Sequence, residues 1–87
     1  MTKQEVVEDL ITETKMYFYN ALLKDREDLM EKAWQNWCTI YMMYETPENA
    51  TETQRIKDSQ ELAKAMAHFT DNEVYGITGY AKKKYSA

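Results

Sequence analysis

The chain has 87 residues, 44% hydrophobic and 30% charged, with two Gly, one Pro and a net charge of −4 at pH 7. That length predicts one domain, close to the size at which a single core becomes self-sufficient, and so few turn residues exclude a sandwich or barrel of many short strands. Three of the eleven basic residues are the adjacent Lys82, Lys83 and Lys84; the body before them carries fifteen acids against eight bases, which excludes a broad phosphate-binding surface.

Thr2 followed three residues later by Glu5 is a capping-box signature. Val6, Val7, Leu10, Ile11, Thr14, Phe18, Ala21 and Leu22 then recur at helical spacing. This predicts a first helix over about residues 3–23. The acids scattered through its start read as neither a signal peptide nor a membrane anchor, and no run approaches the roughly 18 apolar residues of a membrane span. No Gly or Pro stops the helix. However, its apolar stripe lies roughly 140° out of phase with that of residues 29–44, so one straight helix cannot bury both against one neighbour. The spacing therefore predicts an αα-hairpin near Lys24 to Arg26 with Asp25 capping the second helix; one long curved helix is the alternative.

The second helix, over about 26–45, holds most of the large apolar residues, including Trp34, Trp37, Ile40, Tyr41 and Tyr44. Its apolar arc of roughly 180° is too wide for one neighbour and predicts a place between two helices. Trp34 and Trp37 are expected at the centre of the core. Thr46-Pro47 ends the helix. Thr51 with Gln54 opens a third helix over about 52–69, with Ile56, Ser59, Leu62, Ala63, Met66, Ala67 and Phe69 on its core face. Thr70 with Glu73 repeats the capping signature and predicts a short fourth helical segment near 71–80, weakened by Gly76 and Gly79; an uninterrupted third helix is the alternative. The expected fold is all-α, a small three-helix bundle with that added segment: a single domain over 1–81 and a basic, mobile tail over 82–87.

Catalytic groups are sparse. The lone His68 falls on a polar helix face and the lone Cys38 in the aromatic arc, so neither reads as a base, ligand or nucleophile. Asp25, Glu27, Asp28 and Glu31 lack the spacing of a calcium loop, and no phosphate loop or paired core carboxylates exist. No enzymatic activity, metal or cofactor is expected. One Cys allows no internal disulfide, which suits a reducing, cytoplasmic compartment.

The functional signal lies off the core stripes. Met16, Tyr19 and Leu23 align on the side of helix one opposite Val7 and Phe18, and Met42 and Met43 fall toward the polar side of helix two. An aligned set of exposed apolar residues is what a helix needs to dock a partner, and Met suits adaptable contacts. The sequence thus predicts a non-enzymatic protein acting by protein–protein interaction, as a regulator, inhibitor or assembly factor of the kind phages and mobile elements carry, and self-associating as a homodimer. Two alternatives stand beside it. One is a nucleic-acid-associated regulator gripping phosphates with Lys82, Lys83 and Lys84 and stacking bases on Tyr80 and Tyr85; the other is an acidic DNA mimic.

Overall fold

The computed structural model describes residues 1–86. Four helices are present among the described residues, α1 (Lys3–Lys24), α2 (Glu27–Met43), α3 (Glu52–Met66) and α4 (Asp71–Tyr85), and no strand. The all-α class stands, but the fourth element is a full helix of 15 residues, and the three-helix description is corrected to four.

Each helix starts where a hydroxyl can satisfy its orphan amides, except α2. The Thr2 hydroxyl accepts from the Glu5 amide at 3.2 Å while the Glu5 carboxylate accepts from the Thr2 amide at 3.4 Å. Thr51 caps α3 through the Gln54 amide, and Thr70 and Glu73 close a second capping box on α4. The hairpin turn differs from the expected one. Asp25 does not cap α2; it adopts the left-handed conformation, φ 50°, that closes α1. Its amide donates to the Leu22 carbonyl and the Arg26 amide to the Ala21 carbonyl, the two bonds of a Schellman closure. Arg26 is left as the N-cap of α2 without a side-chain cap bond, and its guanidinium pairs with Asp28 at 2.5 Å.

α1 and α2 make the most extensive pairing, and the long-helix alternative is thereby replaced by a hairpin. Val7, Ile11, Phe18 and Ala21 of α1 are buried with Ala33, Trp37 and Ile40 of α2. Thr14 is also fully buried, its hydroxyl donating to the Leu10 carbonyl at 2.6 Å, so no polar atom is orphaned in the seam. α2 does lie between two helices, but the second is α4, with Ile77 and Ala81 buried on its inner face. Trp37 is buried and Trp34 only half-buried, so one of the two expected rings holds the centre.

α3 stops at Met66, and a turn over Ala67 to Thr70 separates it from α4, so the uninterrupted-helix alternative fails. Freed from the helix, Phe69 packs its ring 4.9 Å from that of Trp37. The inner face of α3 is also not the expected one. Asp58 and Ala65 are buried with Leu62 and Met66 half-buried, while Ile56, Ala63 and Ala67 are exposed. On this side Asp58 accepts from the Thr46 hydroxyl of the α2–α3 loop and from Gln54 one turn earlier in α3, each at 2.8 Å, so its charge is hydrogen-bonded where it is buried. The molecule measures 44 × 34 × 20 Å, about two helix diameters in its thinnest direction. A body so thin leaves long helix faces without a neighbour.

Candidate functional site

The outer face of α1 is the clearest of these. Met16 is 59% exposed, Tyr19 51% and Leu23 83%, all on a helix anchored along its opposite side by Val7, Ile11, Thr14, Phe18 and Ala21. Their spacing of three and four residues places them on one stripe. Leu22, expected in the core, is 59% exposed and borders the same face. It continues the core periodicity in sequence, but in the last turns of α1 it borders an open depression shared with Met30 of α2 and Lys83 of α4, and no side chain covers it. Nothing in the local sequence distinguishes it from Ala21.

The Tyr19 ring is half structural. Its hydroxyl donates to Glu73 Oε2 at 2.6 Å, and its ring meets Phe18 edge-on at 5.0 Å. Glu73 is buried at the N-terminus of α4, with the Lys15 ammonium at 3.5 Å and the Thr70 amide donating at 2.8 Å. Burial pushes the Glu73 carboxyl up, but the bonds from Tyr19 and Thr70 and the charge of Lys15 outweigh it, and it rests below the usual carboxylate range. The half-exposed Tyr19 ring is therefore fixed in place by its bond to α4.

Met42 and Met43 do not join this stripe. They end α2, at the pole where Lys3 lies 4.3 Å from the centre of the Tyr44 ring, which is the far end of the hairpin from Leu23. Met42 is exposed there beside Tyr41, whereas Met43 is half-buried and packs against the core, so its expected surface placement is corrected.

The basic C-terminal segment has a different fate from the one expected of a tail. α4 runs through Lys82, Lys83 and Lys84 to Tyr85. Three of the five proposed nucleic-acid contacts converge on one carboxylate of α2: Tyr80 donates to Glu31 Oε2 at 2.8 Å, Lys84 approaches the same oxygen at 3.4 Å, and the Tyr85 hydroxyl donates to Oε1. The bonds from Tyr85 and Tyr80 hold the Glu31 carboxyl below its usual range. Glu31 had no distinguishing mark within the acidic run of the sequence; its role comes from α4 crossing above it.

The groups that could do chemistry are dispersed. Burial, and then the nearby Glu31, push the Cys38 thiol up, away from a reactive thiolate. His68 is exposed, and it is its main-chain carbonyl that is engaged, accepting from Lys15 Nζ at 2.5 Å. A groove of about 350 Å³ between α1 and α3 sets Lys3, Lys64 and His68 among Glu8 and Glu61, a balanced mixture of charges with no convergent donor set. Among the described residues no three His, Cys, Asp or Glu side chains come together as metal ligands, and no helix is long and apolar enough to cross a membrane. No protein-family model, curated protein or solved structure matches the chain.

Proposed function

We propose that this protein acts by binding protein through the outer face of α1, as a regulator, inhibitor or assembly factor, and that it self-associates through the same face. The observation that carries this reading is the aligned exposure of Met16, Tyr19 and Leu23 on a helix whose opposite side is fully packed. Such a stripe is costly to leave in water, and its ring and flexible thioether suit an interface core. The dispersal of Cys38, His68 and the acidic groups supports an interaction role over a catalytic one.

The bond from Tyr19 to Glu73 governs the choice of variant. Tyr19→Glu would set two carboxylates against each other and loosen α4, so the test changes Met16 and Leu23 instead. The Met16→Glu/Leu23→Glu double variant is expected to keep the wild-type circular dichroism spectrum while losing self-association by light scattering at tens of micromolar. In parallel pull-downs from the source cell it is expected to lose the protein that the wild type captures. A folded double variant that behaves as wild type in both assays would overturn the reading.

A further inference from the structure

Two charges flank the α1 stripe on one side. Glu13 and Lys24 are both exposed, and their separation of three helical turns, roughly 16 Å, puts them on the same flank with the level of Tyr19 about midway between them. Glu13 accepts a hydrogen bond from the neutral Asn36 at 3.2 Å and, among the described residues, forms no salt bridge. The acids of the hairpin turn do not cancel Lys24 on this flank. Asp25 and Glu27 line a depression with Leu22 and Lys83 on the α4 side, and Asp28 is paired with Arg26.

From this arrangement we infer that the α1 face is built for a second copy of this chain, docked antiparallel about a two-fold axis that passes at the level of Tyr19. The inference rests on the α1 face being an interaction surface. An antiparallel two-fold keeps each flank on its own side, so Glu13 of one copy meets Lys24 of the other, twice, while Met16 lies beside Leu23 of the second copy and the two Tyr19 rings meet at the axis. A parallel two-fold would instead carry each flank to the opposite side of the interface, so Glu13 and Lys24 of the two copies would not meet and neither charge would gain the other as a partner.

Charge exchange tests this directly. Glu13→Lys alone and Lys24→Glu alone should each dimerise about five- to tenfold more weakly than wild type at low salt, because each homodimer then holds two like-charge contacts. An equimolar mixture of the two should recover the wild-type affinity, since every contact in the mixed dimer is again opposite in sign. If either reversed variant loses helicity, Glu13→Gln and Lys24→Gln carry the same comparison, each weakening the dimer less and the mixture recovering about half of the loss, since the mixed dimer restores one of the two Glu13–Lys24 contacts. Reversed variants that dimerise as wild type, or a mixture that stays weak, would overturn the antiparallel register while leaving the α1 face as the surface that Met16→Glu/Leu23→Glu disables. A wild-type chain that is monomeric at a hundred micromolar would overturn the second copy and leave an external protein as the partner of that face.

Discussion

Gly76 and Gly79 look alike in sequence and have opposite roles in α4. A Cβ at Gly76 would stand 2.7 Å from Phe18 Cζ and nearer still to Cε1, so the missing side chain is what lets α4 close onto α1. A Cβ at Gly79 meets nothing within 4 Å. Gly76→Ala is therefore expected to destabilise by about 1–3 kcal/mol through overpacking, and Gly79→Ala to stabilise by about 1 kcal/mol through helix propensity. Urea unfolding of the two variants checks both signs at once. Asp25 offers a third test, because its φ of 50° is a conformation that glycine adopts without steric cost. Asp25→Gly is expected to raise stability by a few tenths to about 1 kcal/mol, whereas the same change at a true N-cap would lower it by a few tenths. Trp37→Ala should cost about 3–5 kcal/mol, and the half-buried Trp34 clearly less.

Among the elements, α4 depends most on polar attachment. Its inner face buries Ile77 and Ala81, and each end is tied to the hairpin by a tyrosine hydroxyl on a carboxylate: Tyr19 on Glu73 at its start, Tyr80 and Tyr85 on Glu31 toward its finish. Removing residues 82–87 is thus expected to lower the melting temperature and the helicity by more than the six lost residues account for, because Lys84 and Tyr85 leave Glu31 together. Tyr85→Phe isolates one hydroxyl and should give a smaller loss in the same direction. Hydrogen exchange monitored by mass spectrometry should show α4 amides opening before those of α1 and α2 in both variants, since the hairpin retains its own apolar seam. Equal opening of all three helices would mean that α4 is not a separate cooperative unit.

At the scale of the whole molecule, the same carboxylates set a pH window. Glu73 and Glu31 each join two helices and Asp58 ties α3 to Thr46 of the α2–α3 loop, and each of the three has a carboxyl held below its ordinary value in the fold. The unfolded chain then binds more protons at acid pH, so their contribution is fully present above about pH 4.5 and is lost as the pH falls through the depressed folded values. Tyr19, Tyr80 and Tyr85 are shifted the opposite way, upward, Tyr19 and Tyr85 chiefly by bonds to carboxylates and Tyr80 chiefly by burial. The stability they supply is present below about pH 10 and is lost above it as they ionise. Thermal melts across pH should show a plateau between these limits with a fall on both sides; Glu73→Gln should flatten the acidic fall.

The helical class, three of the four helix starts and most of the inner face of α1 were legible in the sequence, because capping and amphipathic periodicity are local properties that act within a few residues. Thr2 with Glu5, Thr51 with Gln54 and Thr70 with Glu73 each satisfy amides in their own first turn, wherever the rest of the chain goes. Met16, Tyr19 and Leu23 were legible as a stripe for the same reason, and the structure leaves all three exposed. Features that depend on which helix lies opposite were not legible in this way. Leu22 and Ile56 carry core-like patterning yet are exposed, Met43 sits on the polar side of its helix yet packs inward, and Asp58 is charged yet buried, because Thr46 and Gln54 reach it. Glu31 and Lys84 are ordinary surface charges until α4 crosses α2. Periodicity states how a helix divides its own surface, but burial is a property of pairs of surfaces, and partners separated by 49 to 54 residues in the chain, as Glu31 is from Tyr80 and Tyr85, leave no trace in any local window.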